Sequence, residues 1–226
     1  MPRYDLWADG GGAHAVSACI NGVIVLGLCA QWRRLAARAT PAPRALLSLL
    51  RAEICFETVH GLCHARFDAF GGHCFDVQHV VGLVLVGALE AAVGALASGG
   101  AGQPRLLGVV LLADGALWLA SAPQLARALV AFCAFSYLIA RAARTKQLRA
   151  QPMAAAAATL MLLSSALFAA EGHFNCSERL PHARLARGLG LPPHAVFEAV
   201  GLAIFAATNR ALIDGFEGAP PRRVAA

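Results

Sequence analysis

Seven stretches of the chain are mostly apolar, and more polar segments separate them. Each has close to the ~20 residues that a helix needs to cross the hydrocarbon core of a bilayer. They predict one all-α domain over residues 1–226, a bundle of seven transmembrane helices. The predicted helices run over residues 13–31, 45–67, 76–97, 105–121, 123–141, 153–170 and 194–213.

The fourth and fifth predicted helices are separated by a very short segment. Ser121, Ala122 and Pro123 lie between them, and Asp114 interrupts the fourth helix. Fusing the two would give six spans, but it needs one helix of ~37 residues, far longer than a bilayer core requires. Seven spans is the interpretation that fits the bilayer better.

The composition favours a membrane protein over a soluble one. Hydrophobic residues make up 58% of the chain and charged residues 14%, whereas a soluble domain is about half apolar and a quarter charged. The net charge of +6 comes from arginines that cluster in loops, where such clusters set membrane orientation. We therefore expect an integral membrane protein with no nucleic-acid partner.

The basic loops predict the orientation of the bundle. With seven spans they all fall on one side, which the positive-inside rule places in the cytoplasm. The N-terminus would then be lumenal or extracellular and the C-terminus cytoplasmic. The residues are Arg33, Arg34, Arg38 and Arg44 in the first loop, Arg141, Arg144, Lys146 and Arg149 in the fifth, and Arg210, Arg222 and Arg223 in the tail.

Three of the predicted helices carry two or more ionisable residues of the types that bind metals. A charged side chain at bilayer depth costs about 2.5–3.5 kcal/mol even on permissive scales, so it needs a partner or a function. In the second helix the steps of four, three, four and four place these residues on one face, toward the bundle interior. The residues are Glu53, Glu57, His60, His64 and Asp68 in the second helix, Asp76 and His79 in the third, and His194 and Glu198 in the seventh.

The predicted topology brings several of these residues to one depth. His64 and Asp68 end the second helix, and His79 begins the third. His194 and Glu198 begin the seventh helix and project from one side of it, as the two His of HExxH do when they bind zinc. Zinc accepts imidazole nitrogen and carboxylate oxygen, with three protein ligands and a water in catalytic sites. The sequence therefore predicts a metal site near the non-cytoplasmic surface.

At these positions the chain resembles the alkaline ceramidases, within the superfamily of seven-span hydrolases that includes the progestin-receptor-like and haemolysin III proteins. The segment His60–Asp68 is similar to the family's Gly-x-Gly-Ser-x-x-Phe-His segment in helix two. In that family an Asp begins helix three and HxxxH begins helix seven. The three His bind zinc, while the Ser and Asp attend the zinc-bound water.

The residue types at the matching positions are exchanged relative to the family. His64 stands where the family has Ser, and Asp68 where it has His. His79 stands at the position of the family's Asp, and His194 and Glu198 stand at HxxxH. The resemblance then implies a mixed imidazole and carboxylate zinc site among Asp68, His194, Glu198 and His64.

A second alignment stays open, in which His64 stands at the family's His and His60 at its Ser. The nearest acid in helix three is then Asp76, one residue beyond the family spacing. In either alignment the resemblance implies a zinc-dependent hydrolase that cleaves the amide bond of ceramide-like lipids. The helix-two residue that does not bind zinc, together with His79, would orient the water or act as general base.

The resemblance extends to two weaker matches. The opening Asp5–Asp9, with Asn21 further on, is similar to the Trp-x-Glu opening that helps bind calcium in these enzymes. Glu171–Cys176 resembles a family segment that has an acid, a Phe and a Cys before helix seven. The resemblance thus implies calcium as a second metal, a membrane lipid as substrate, and the endoplasmic reticulum, Golgi or plasma membrane as location.

Two other functions stay open from the residues alone. The polar residues would also suit a non-catalytic receptor-like or structural protein, in which they join helices or bind a ligand. Glu53, Glu57 and Glu90 would suit a proton or ion pathway. Such a pathway needs polar residues as far as the cytoplasmic end, and between Glu53 and that end the sequence offers mainly Arg51. We expect Glu90 and Asp114 to be contacts between helices, and His14 to be solvated or hydrogen-bonded.

Overall fold

The computed structural model of the chain describes residues 11–38, 43–66, 73–98, 105–149, 151–174, 180–191 and 193–218. This described part contains eight α-helices and no strand. In chain order they are α1 (Gly11–Ala36), α2 (Arg44–Ala65), α3 (Cys74–Ser98), α4 (Arg105–Leu119), α5 (Gln124–Ala143), α6 (Pro152–Phe174), α7 (Pro181–Gly188) and α8 (Pro193–Glu217).

The all-α class is confirmed for the described residues, and each predicted helix overlaps one helix of the structure. The fourth and fifth predicted helices are indeed separate, because α4 ends at Leu119 and α5 begins after Pro123. The short helix α7 is an addition that the hydrophobic pattern did not predict. It begins with Pro181, a residue that the first turn of a helix accepts without losing a hydrogen bond.

Five helices of the described chain are long and apolar enough to cross a membrane, so the expected count of seven is wrong on these criteria. The five are α1, α3, α5, α6 and α8. Helix α4 has only 15 residues, which span ~22 Å at 1.5 Å per residue. Helix α2 carries four charged residues, Arg44, Arg51, Glu53 and Glu57. The chain is an integral membrane protein by its apolar helices, and its orientation stays a prediction.

Six of the helices form a closed ring. Helix α1 packs on α2, α2 on α3, α3 on α5, α5 on α6, α6 on α8, and α8 returns to α1. Helix α4 lies outside the ring against α3 and α5, and α7 lies against α8. Large apolar side chains such as Leu26, Val84 and Leu162 are exposed on the outside, as expected of helices that face lipid.

The polar face of α2 points into this ring, as its spacing predicted. The buried residues of that face are Glu53, Glu57, His60 and His64. Asn209 of α8 donates a hydrogen bond of 2.6 Å to Glu53 Oε2. The first carboxylate of this face along α2 therefore has a partner inside the ring. The prediction is confirmed for these four residues, whereas Asp68 lies outside the described residues.

Glu90 of α3 is a contact between helices, as expected. Its two oxygens accept hydrogen bonds from the backbone N–H groups of Leu106 at 2.7 Å and Leu107 at 2.9 Å, at the start of α4. The first N–H groups of a helix have no partner within it, and negative charge is favourable there. Glu90 therefore stabilises the first turn of α4.

Candidate metal centre

Four buried side chains converge between α2 and α8, and we call them the His/Glu cluster: His60, His64, His194 and Glu198. His60 and His64 are four residues apart on α2, and His194 and Glu198 are four apart on α8. This spacing makes both members of a pair project from the same helix face. One ligand atom from each residue lies within 4.8 Å of the other three.

Glu198 Oε1 lies at the centre of the closest contacts. It is 3.0 Å from His60 Nε2, 3.3 Å from His64 Nε2 and 3.0 Å from His194 Nε2. His60 Nε2 and His64 Nε2 are 3.3 Å apart. Four ligand atoms in a tetrahedron at zinc-like bond lengths of about 2.0–2.2 Å are about 3.3–3.6 Å from each other. The His/Glu cluster is thus close to the size of a metal shell and can hold a metal ion.

The His/Glu cluster is shielded from solvent, since none of its residues is more than 8% exposed. A carboxylate at such a depth is costly unless it is paired and hydrogen-bonded. Neutral imidazoles carry no net charge to balance that of Glu198. A cation bound among the four groups, or a proton on one imidazole, would supply the balancing charge.

Asn21 of α1 holds the second oxygen of Glu198. Its Nδ2 donates to Glu198 Oε2 at 3.1 Å and to the Ser17 carbonyl oxygen at 2.8 Å. Helix α1 reaches this position because α2 has Gly61 there, where a Cβ atom would lie 3.1 Å from Asn21 Cβ. Small residues of this kind let membrane helices approach closely. The result is a carboxylate whose Oε1 is left to the three imidazoles.

Two more buried side chains lie near the Nδ1 atoms of the α2 histidines, the ring nitrogens that do not contact Glu198. His14 Nδ1 lies 3.0 Å from His64 Nδ1, and Glu57 Oε2 lies 4.0 Å from His60 Nδ1. A metal-binding His usually has a partner at its other ring nitrogen, which fixes its tautomer and orientation. His14 occupies that position for His64 and has the hydrogen-bonded role expected from the sequence, whereas Glu57 is near His60 Nδ1 at a distance too long for a hydrogen bond.

We expect Asn21→Leu to weaken metal binding by about 10–100-fold, the range typical of partners that orient metal ligands. Leucine is similar in size to asparagine but cannot hold Glu198 Oε2. Zinc titration of the purified variant against a chromophoric chelator measures the affinity. Asn209→Leu is the matched control, because Asn209 is equally buried and holds Glu53 outside the His/Glu cluster. An equal loss in both variants would contradict the role of Asn21.

A cavity of about 170 Å³ lies beside the His/Glu cluster. Its lining runs along α8 from His194 to Phe205 and along α3 from Phe75 to Val86, a length of ~16 Å at 1.5 Å per residue. Apart from Glu57 and Ser164, the polar side chains gather where α3 and α8 begin, and they are His60, Gln78, His79, His194 and Glu198. The cavity is therefore elongated, with one polar end and a mostly aromatic and aliphatic remainder.

His79 lies apart from the His/Glu cluster but lines the same cavity. Its Nε2 is 2.8 Å from Asp114 Oδ1 on α4. Asp114 also accepts hydrogen bonds from Arg127 of α5, with Nε to Oδ1 at 3.0 Å and Nη2 to Oδ2 at 3.3 Å. The His79 ring stacks on Phe75 with centroids 5.3 Å apart. Asp114 is thus the contact between helices that the sequence suggested.

Three of the predicted site residues meet in the structure. His64, His194 and Glu198 belong to the His/Glu cluster, and its fourth member is His60, which the second alignment had placed beside the zinc site. His79 contacts Asp114 and reaches the site only through the shared cavity. Asp68 lies outside the described residues, and the four groups of the His/Glu cluster come from the described part of the chain.

The sequence interpretation missed the roles of Asn21 and Arg127. Asn21 was grouped with Asp5–Asp9 as a calcium site; those five residues and the side chains of 171–179 lie outside the described part of the chain. Asn21 itself contacts Glu198, 177 residues away. No local pattern indicates such a contact. For His60, in contrast, the i, i+4 spacing to His64 was a usable signal.

Comparison of the chain with protein-family models, with curated proteins and with solved structures gives no match. The resemblance to the alkaline ceramidases therefore stays a prediction from the sequence. The function has to be inferred from the geometry of the site.

Proposed function

We propose that this chain is a zinc-dependent hydrolase of the membrane interior that cleaves the amide bond of ceramide-like lipids. The observation that carries the proposal is the location of three imidazoles and one carboxylate beside an elongated apolar cavity. Small-molecule sites typically combine an apolar lining with a few convergent polar groups. A packing network, in contrast, would pair these side chains off with separate partners.

Zinc is the metal that this ligand set favours, since it binds imidazole nitrogen and carboxylate oxygen in a tetrahedral shell. Three of the four groups would hold the metal and leave the fourth position to water. The available ligand atoms are Nε2 of His60, His64 and His194 and Oε1 of Glu198. When bound, the metal would lower the pKa of a coordinated water toward ~7 and polarise the amide carbonyl. The set includes three imidazoles, the number that binds zinc in the ceramidases that the sequence resembles.

The cavity supports a lipid as the substrate. The amide group would lie at the polar end, and the acyl chain would follow the apolar lining, which includes the contacting rings of Phe132, Phe168 and Phe197. Each buried CH₂ group contributes about 0.8 kcal/mol, so a chain in this cavity would add substantially to affinity. His79 would accept and donate protons at the polar end of the cavity.

We infer that α2 and α4 pack beside the five apolar spans as part of the same bundle. Helix α2 sits between α1 and α3 with its carboxylates turned inward. Helix α4 exposes Leu112, Trp118 and Leu119 on its outer side, as a lipid-facing helix does. The basic loops favour a lumenal or extracellular N-terminus, in the endoplasmic reticulum, the Golgi or the plasma membrane.

One observation favours a second candidate, a non-catalytic membrane protein. Structural zinc sites have four protein ligands, whereas catalytic sites keep a position for water. The His/Glu cluster offers four groups. A metal held by all four would tie α2 to α8 without any turnover.

The test measures hydrolysis of a lipid amide before and after zinc is removed. Protein purified in detergent is expected to contain about one zinc per chain and to release fatty acid from ceramide. Chelation should abolish the release, and added zinc should restore it. A protein that keeps its zinc but releases no fatty acid from ceramide would support the structural candidate. A protein that binds no zinc would contradict both.

A further inference from the structure

His79 presents an imidazole to the cavity from α3, whereas the residues of the His/Glu cluster come from α2 and α8. It is buried, and its ring is held against Phe75. An imidazole that faces a substrate cavity without belonging to the metal site is suited to accept and donate protons.

Behind His79 stands a carboxylate whose position is fixed by an arginine. Asp114 Oδ1 is 2.8 Å from His79 Nε2, and the guanidinium of Arg127 binds both oxygens of Asp114. Neither Asp114 nor Arg127 is among the lining residues of the cavity. A paired guanidinium and carboxylate holds a planar, two-point geometry. Asp114 is therefore held in place for its contact with His79.

Arg127 also contacts a second carboxylate. Its Nη1 is 3.4 Å from Oδ1 of Asp76, whose side chain is 57% exposed. Asp76 therefore shares the guanidinium with Asp114 but lies toward solvent, whereas Asp114 contacts the His79 ring.

We propose that Asp114 and Arg127 are positioning residues that make His79 the proton-transfer group of the cavity, a proposal that rests on the proposed hydrolase function. A carboxylate at Nε2 requires the proton of neutral His79 to be on that nitrogen. Nδ1 is then the atom that accepts a proton. This is the logic by which a carboxylate orients a catalytic imidazole in hydrolases of other folds.

The proton balance of the amide cleavage is simple. As the oxygen of water bonds to the amide carbon, one of its protons passes to His79 Nδ1. The C–N bond then breaks, its electron pair stays on nitrogen, and His79 returns the proton to that nitrogen. The products are a carboxylic acid and an amine, and His79 is neutral again.

Other ionisable groups face this region from each helix that packs on α3. They are Glu57 and His60 of α2, Asp114 of α4, Arg127 of α5, His194 and Glu198 of α8, and Asp76 of α3 itself. Of these, Asp114 is the group with a hydrogen bond to the His79 ring. A change at Asp114 should therefore act on His79 more than a change at Asp76 does.

The experiment compares Asp114→Asn with Asp76→Asn, which removes a carboxylate that contacts the same Arg127. We expect Asp114→Asn to keep its zinc and its KM, while kcat for ceramide falls by about 100-fold. Asp76→Asn should retain most of the wild-type rate. Equal kcat values for wild type and Asp114→Asn, or a loss of zinc together with a raised KM in Asp114→Asn, would overturn the proposal.

A second measurement does not depend on turnover and is made on the wild-type protein. In wild-type protein with ¹³C-labelled histidine, the ring signals of His79, assigned by their loss in His79→Asn, report which nitrogen carries the proton. We expect the Nε2–H form. An Nδ1–H form would overturn the proposal even if ceramide is hydrolysed. An Nε2–H form in a protein without hydrolysis would support the Asp114–His79 pairing and remove the proposed function.

Discussion

Purified His60→Ala protein is expected to lose its bound zinc and its ceramide hydrolysis together. His60 Nε2 lies 3.0 Å from Glu198 Oε1 and 3.3 Å from His64 Nε2, so its removal opens the His/Glu cluster on two sides. Zinc affinity should fall by more than the ~10–100-fold that is typical when a residue that orients a metal ligand is replaced. Metal content per chain and fatty-acid release are measured on the same preparation.

Two variants make this result specific to the His/Glu cluster. His182→Ala removes an imidazole that is also buried but lies on α7, and it should keep the metal. Asp68→Asn should keep the metal as well, because the four groups of the His/Glu cluster already supply the three or four protein ligands that zinc takes. Zinc that survives in His60→Ala but is lost in Asp68→Asn would show that the first sequence alignment, and not the His/Glu cluster, describes the metal site.

The helices could be predicted because the bilayer thickness and the helical period both leave a pattern in the sequence. A bilayer core sets the length of an apolar run, and the period of 3.6 residues sets which side chains share a face. In helix α2 the length of the apolar run and the spacing of the polar residues give different answers. Its charged residues remove it from the candidate spans, yet the same residues, at steps of four and three, correctly indicate a face that is buried in the ring.

The His/Glu cluster could be predicted only in part, and the reason is distance along the chain. Each i, i+4 pair is visible within one helix, and topology alone predicted that His64 and His194 reach one depth. Which side chain of a helix faces which neighbour depends on packing. His14 meets His64 across 50 residues and Asn21 meets Glu198 across 177. Close approach at Gly61 decides the second contact.

His79 illustrates the limit of transferring roles by position. The resemblance placed it where the family has an Asp that attends the zinc-bound water. In this structure the carboxylate comes from α4, since Asp114 contacts His79. An acid in a short fourth helix was expected to join helices, and it does so while also contacting an imidazole of the cavity.

Gly201→Leu is expected to lower the hydrolysis of long-chain lipid amides by about 100-fold while leaving the zinc in place. Gly201 lines the cavity three residues after Glu198, and a Cβ atom there would meet nothing within 4 Å. The four side-chain carbons of leucine would fill space that the acyl chain needs. At about 0.8 kcal/mol per displaced CH₂ group, the loss is about 3 kcal/mol, which corresponds to about 100-fold in kcat/KM.

Stability should not account for this loss, because leucine is a better helix former than glycine by about 1 kcal/mol. Gly27→Leu is the matched control, since Gly27 is an exposed helical glycine with the same open surroundings, away from the cavity. An N-acetyl substrate should be hydrolysed by Gly201→Leu much more nearly at the wild-type rate, because its acyl chain is too short to need the filled space. A Gly201→Leu protein that hydrolyses long and short amides equally well would place the acyl chain outside this cavity, although the metal centre could still be correct.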